Sequence, residues 1–142
     1  TQQLIFFDLG DRLTLVDLPG YGFAKVSKSL VESWNRLLRA YMKGRVTLRR
    51  VCVLVDGRHG LKSGDADIMT LLDQAAVPYQ IVLTKADKVA RAELRHRVED
   101  IEAALKPHPA AFPQVHLTSA RNGDGISELR AILTELAAAP AG

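Results

Sequence analysis

The sequence predicts an α/β fold: a three-layer, doubly wound, mainly parallel sheet with helices on both faces. Three observations lead there. Short apolar runs alternate with amphipathic stretches of helical period along the whole chain. The inner runs are continuous rather than alternating, the pattern of strands buried on both faces. The length, 142 residues, suits one domain covering 1–142 with a real core.

The elements follow in order. Leu4–Phe7 and Leu13–Val16 flank a Gly10-Asp11 turn and predict a hairpin. Leu30, Trp34, Leu37, Leu38 and Tyr41 lie at helical spacing, so Trp34 and Tyr41 are expected in the core. Ser29 and Glu32 form a capping-box pattern before them, and Gly44 a stop after them. Val51–Val55 is a β-branched run expected to be buried on both faces. Ile68, Leu71, Leu72 and Ala75 mark the next helix, and Tyr79–Leu83 the next strand. Leu94, Val98, Ile101 and Leu105 recur at steps of four, three and four, again a helix. Val115–Leu117 is a short last strand, and Ile126, Leu129, Ile132, Leu133 and Leu136 a final helix. Pro107-His108-Pro109 reads as a loop, and the tail from Ala137 to Gly142 as frayed.

Composition excludes some classes. Apolar residues at 47% and charged residues at 25% are those of a globular protein. No apolar run approaches the ~18 residues of a membrane span, and no signal peptide is read at the start. One cysteine, Cys52, sits inside an apolar run and reads as a small buried hydrophobe. These features fit the cytoplasm. His59, His96, His108 and His116 lack metal-ligand spacing and read as structural or exposed. The net charge is +3, and the positive residues crowd one stretch: Arg36, Arg39, Lys43, Arg45, Arg49, Arg50, Arg58 and Lys62. That stretch is either a solvated face or an RNA-facing patch.

In a doubly wound fold, ligands bind in loops at the carboxyl ends of strands. Three such loops carry chemistry. Asp17-Leu18-Pro19-Gly20 follows the second strand; a carboxylate there can hold magnesium, and a glycine lets a backbone N–H approach a phosphate. Taken alone, this pattern is also that of a plain turn. Thr84-Lys85-Ala86-Asp87 follows the Tyr79–Leu83 run. A carboxylate here can accept two parallel hydrogen bonds from N1–H and the 2-amino group of guanine, which adenine does not offer. The Lys85 stem can cover the base, and Asp87 can equally serve as a helix N-cap. Thr118-Ser119-Ala120 follows the last strand, with side chains small enough for backbone N–H groups to reach guanine O6. Their common placement in this order is the signal of guanine-nucleotide GTPases.

The segments Asp17–Val26, Asp56-Gly57-Arg58-His59-Gly60-Leu61-Lys62 and Thr84–Lys88 closely resemble the EngB (YihA/YsxC) family of GTP-binding proteins. The likeness runs over essentially the whole chain and is strongest between Gln3 and Lys88. It implies the P-loop GTPase fold, GTP or GDP and Mg2+ as ligands, and a monomeric cytoplasmic switch. It also implies a role in assembly of the large ribosomal subunit, linked to cell division and septation, with ribosomal RNA or a large-subunit precursor as partner. By position, Asp17 would hold magnesium through water and Gly20 would contact the γ-phosphate. Thr1 would be the magnesium-binding threonine of the first switch. Thr84, Lys85 and Asp87 would bind guanine, with Ser119 and Ala120 behind it. Tyr21 stands where many GTPases keep a water-orienting glutamine, so no catalytic residue is expected and hydrolysis should be slow.

The sequence holds no G-x-x-x-x-G-K-[ST] motif, which the family carries upstream between a strand and a helix. The expectation is therefore a G domain without its first strand, phosphate-binding loop and first helix. On its own such a chain should fold poorly and bind GTP weakly. The other readings are a nucleotide-free remnant that binds ribosomal RNA through its basic face, and a doubly wound domain of another kind.

Overall fold

In the computed structural model the described residues are 5–9, 13–17, 28–44 and 49–138. For the first two strands the description extends to the backbone. These strands, β1 (Ile5–Leu9) and β2 (Leu13–Asp17), pair antiparallel with Ile5 opposite Asp17 and Leu9 opposite Leu13. The expected hairpin is present, and Asp17 is its last paired residue. A 15-residue helix, α1 (Lys28–Met42), follows. It begins one residue before the expected cap Ser29, which therefore lies in its first turn; helix ends are ill-defined at this scale. Gly44, at φ +73, ends it as expected, since glycine adopts the left-handed conformation without a Cβ clash.

The rest of the chain is regular βα alternation. β3 (Val51–Asp56), α2 (Ser63–Gln74), β4 (Tyr79–Thr84), a 3-10 turn (Ala86–Lys88), α3 (Arg91–Leu105), β5 (His116–Leu117) and α4 (Ile126–Ala138) come in turn. β3, β4 and β5 form a parallel sheet in that order, with Val51 opposite Tyr79 and Leu83 opposite Leu117. Among the described residues this sheet and the β1–β2 pair are separate. The β-branched runs make the strands, and α1, α2 and α3 each supply apolar side chains to cover them.

The core lies on one face of the parallel sheet. Val51, Val53 and Val55 of β3 and Tyr79, Ile81 and Leu83 of β4 pack with Trp34 and Leu38 of α1, Ile68, Met69 and Leu72 of α2, and Ile101 and Leu105 of α3. Trp34 is thus a core residue, as its spacing predicts; the side chain of Tyr41 lies outside the described residues. The expectation that β3 is buried on both faces is wrong. Its second face carries half-buried Cys52 and Leu54, which is 63% exposed. An apolar strand sequence reports what the strand can bury, not whether an element of the chain lies over it.

Among the described residues no helix is long and apolar enough to cross a membrane. The histidines bear out their structural reading: His108 pairs with Asp73 at 2.5 Å, His116 bonds the Gly125 carbonyl at 2.8 Å, and His59 and His96 are exposed.

Candidate functional site

A parallel sheet delivers the loops after adjacent strands to one edge. Here that edge collects Asp56, Thr84–Asp87 and Thr118–Ala120, which lie far apart in sequence. Thr118 is tied to β4 twice, its N–H and its hydroxyl both donating to the Leu83 carbonyl, at 2.8 and 3.1 Å. The Ala86 N–H donates to the Thr118 carbonyl at 3.1 Å, so the second and third loops are cross-braced. On the other side the Gly57 N–H donates to the Thr84 carbonyl at 2.8 Å. A Cβ at residue 57 would sit 2.9 Å from that same oxygen, so only glycine permits this approach.

The chain leaves β4 through Lys85, held in the left-handed conformation at φ 57, ψ 36. For a residue with a Cβ this costs roughly 1–2 kcal/mol, which the cross-braces must offset. The turn redirects the backbone into Ala86–Lys88 and brings Asp87 against the third loop. There the Ser119 hydroxyl donates to Asp87 Oδ1 at 2.7 Å. This bond, before all else, holds the Asp87 carboxyl below the usual carboxylate range; Lys88 and Arg121 assist. Asp87 is exposed and ionised at neutral pH, while Ser119 beneath it is fully buried.

Ser119 does a different job from the one its position suggests. Its N–H is occupied by the Asp124 carbonyl at 2.9 Å, and its hydroxyl braces Asp87 and accepts the Asn122 N–H at 3.2 Å. Ala120, next in the chain, is exposed at the rim. The loop closes on Gly125 at φ +73, where a Cβ would fall 1.9 Å from the Leu117 carbonyl oxygen. No other residue fits there.

Sequence reasoning gave no role to Asp56, yet Asp56 ties the first of these loops to the second. Its carboxylate accepts from Arg58 Nε at 3.0 Å and Nη2 at 2.8 Å, and pairs with Lys85 Nζ at 3.3 Å. The Arg58 guanidinium first, and Lys85 with it, hold Asp56 well below the usual carboxylate range. Asp56 raises the Arg58 guanidinium in return. Arg97 of α3 fastens this loop from outside, donating to the Arg58 and His59 carbonyls at 3.2 and 3.4 Å. The one available signal was positional: Asp56 ends a strand beside another strand-end loop.

Of the remaining expected site residues, Asp17 is placed only by its backbone, at the end of β2. Thr1, Leu18, Pro19 and Gly20, together with Tyr21, lie outside the described residues. Among the described residues no three His, Cys, Asp or Glu side chains stand together as a metal site. Among its described members, the basic stretch is divided by β3. Arg58 and Lys62 lie beyond the carboxyl end of β3, whereas Arg49 and Arg50 precede its other end and follow closely on Arg39 and Lys43. Six strand residues, about 17 Å, separate the groups.

Comparison with known proteins agrees with this architecture. Residues 40–139 match the family model described as the elongation factor Tu GTP binding domain. The chain is 57% identical over 138 residues to a probable GTP-binding protein EngB of Rhodopseudomonas palustris strain HaA2, covering 96% of this chain and 64% of that protein. It is 52% identical over 136 residues to the protein of that name from Cereibacter sphaeroides, covering 96% and 63%. It therefore spans a little under two-thirds of the length of these curated relatives. Among solved structures, it is similar to translation elongation factor SelB of Methanococcus maripaludis in complex with the GTP analogue GPPNHP. That likeness has a TM-score of 0.73 and 25% identity, over 100% of this chain and 30% of that one. A crystal structure of a probable GTP-binding protein engB shares the fold at a TM-score of 0.65 and 18% identity, over 96% of this chain and 84% of that one.

Proposed function

The chain belongs to the GTP-binding domain family of elongation factor Tu and, within it, to the EngB-type GTP-binding proteins, and from that premise we propose that it is the guanine-reading part of a GTP-controlled switch. The observation that carries this is Asp87: an exposed, ionised carboxylate at a strand end, braced by Ser119 at 2.7 Å. Such a carboxylate accepts the N1–H and 2-amino hydrogens of guanine together. Adenine would leave it unmatched, which is how a site built around a polar pair rejects the wrong ligand. The Lys85 stem covers one face of the base, its ammonium steadied by Asp56. The Ala120 N–H faces O6, since the Ser119 N–H is already engaged, and Thr84 with Thr118 sets the spacing between the loops.

The phosphate end falls to Asp17-Leu18-Pro19-Gly20, with Asp17 and the Thr1 hydroxyl as magnesium ligands. The donors suit the ion. Mg2+ prefers oxygen, keeps several waters, and usually takes one or two carboxylates plus substrate phosphates rather than a protein cage. Bound there, Mg2+ would neutralise phosphate charge; the chain supplies oxygen donors and a glycine whose N–H can approach. With Tyr21 in the water-orienting position, no residue of this chain is assigned a catalytic role, and hydrolysis is slow. We read its setting as large-subunit assembly in the cytoplasm, linked to cell division and septation. In that setting it acts as a monomer with ribosomal RNA or a subunit precursor as partner, and the net charge of +3 favours such a partner.

The test is titration with a fluorescent GDP analogue, on this chain and on a form extended upstream to include the phosphate-binding loop. Binding by the extended form, with guanine preferred over adenine, supports the proposal. If neither form binds, the loops do not read guanine, and binding of ribosomal RNA by a nucleotide-free protein replaces this function.

A further inference from the structure

At the opposite end of the parallel sheet from Asp87, the structure forms a second recess. A cavity of about 390 Å³ opens between the starts of β3 and β4 and the loop before β5, walled by Arg50, Pro78, Tyr79, Pro109, Phe112 and Pro113. That volume is within the range of small-ligand sites. The three prolines fix φ along the wall, so the recess is preformed. Phe112, 40% exposed, is one of the few large apolar side chains left in solvent. The Arg50 guanidinium lies 5.0 Å from its ring centroid and is itself tethered, donating to Gln80 Oε1 at 3.1 Å. Two planar groups are thus held at the mouth of one pocket.

The wall's charges also have a direction. Asp73 is already engaged by His108 at 2.5 Å and by the Ala110 N–H at 3.1 Å. Arg50 has no carboxylate partner among the described residues. Tyr79 Oη is buried beside Asp73; burial first, and that carboxylate second, keep its proton on. Arg49 directly precedes Arg50 at this end of the sheet.

We propose that this recess takes one unpaired base of a single-stranded RNA, stacked against the Arg50–Phe112 pair, with the flanking phosphates drawn toward Arg50 and its neighbour Arg49. Aromatic rings and guanidinium planes are the surfaces on which splayed-out bases stack, and clustered cations follow the backbone. A duplex does not fit, because its bases are not free to enter. An acidic peptide is the poorer fit, because it offers no ring to stack on Phe112. The proposal rests on the RNA-contact part of the function proposed above and gives it a location.

The experiment uses a single-stranded RNA of about 12 nucleotides carrying 2-aminopurine, whose fluorescence falls when the base stacks. The chain should bind it and quench it. Phe112→Ala should weaken binding about tenfold and abolish the quenching, while Phe112→Trp should keep both. Arg50→Ala should weaken binding without touching the ring, and it carries the test if Phe112→Ala lowers the melting temperature. Equal binding by wild type and Phe112→Ala overturns the stacking site while leaving RNA contact standing. No RNA binding by wild type overturns both. Equal competition by duplex RNA or by polyglutamate also overturns the proposal, the latter pointing to an acidic peptide.

Discussion

β3 and β4 are hydrogen-bonded partners of equal length, and each ends in a loop of the candidate site, but they are held in different ways. From Tyr79 to Leu83 every residue of β4 is buried. β3 alternates, with Val51, Val53 and Val55 in the core and Leu54 in solvent. The contrast continues into the loops. The one after β4 is fixed by backbone hydrogen bonds, a buried serine and the two-fold tie of Thr118 to Leu83. The one after β3 also has backbone bonds, from Gly57 to Thr84 and from His59 and Gly60 to Asp56, but adds exposed charge, Asp56 standing between Arg58 and Lys85. Packing and backbone bonds are insensitive to salt, whereas half-exposed ion pairs are not. The site should therefore have a rigid guanine side and a softer side beside it.

The largest effect should come from Ile81→Ala, which empties a fully buried position of β4; about 3–4 kcal/mol of stability should be lost in chemical denaturation. The matching change on β3, Leu54→Ala, should cost well under 1 kcal/mol, because the side chain is already in water. Equal losses would erase the distinction between the strands. Gly125→Ala should come next at about 3 kcal/mol, since a methyl meets the Leu117 carbonyl oxygen and the φ is left-handed. Asp56→Asn should cost less than ~1 kcal/mol, because its partners are about half exposed. That variant should also erase the salt dependence of guanine affinity if the softer side is electrostatic. Asp56 has a folded value depressed below 3.8, so its contribution is present above that pH and is lost as pH falls through the lower folded value. Guanine affinity should hold from neutrality down to about pH 4 and fall only where Asp87, also depressed, takes up a proton. Loss of affinity between pH 7 and 5 would contradict this.

Much of this was legible in the sequence because it depends on local pattern. Continuous β-branched runs and helical spacing gave β3, β4, α1 and α3 to within a residue or two, and Gly10-Asp11 marked the hairpin. Thr84–Asp87 stood out only in company with the two other strand-end loops, since by itself Asp87 reads equally as a helix N-cap. The open face at Leu54 was not, because an apolar residue does not encode what covers it. Asp56 was missed because its partner Lys85 lies 29 residues away, and only the parallel register of β3 on β4 brings them together. The basic stretch misled for the inverse reason: its members are neighbours in sequence, but β3 carries them to opposite ends of the sheet.

The central claim is that Asp87 reads guanine from a rigid side of the site. Asp87→Asn, in a protein that includes its phosphate-binding loop, tests it most directly by titration with GDP and with xanthosine diphosphate. GDP affinity should fall at least tenfold while xanthine nucleotide binding improves, because the amide can donate where the carboxylate accepted. Unchanged GDP affinity, or an equal loss for both nucleotides, would contradict the account.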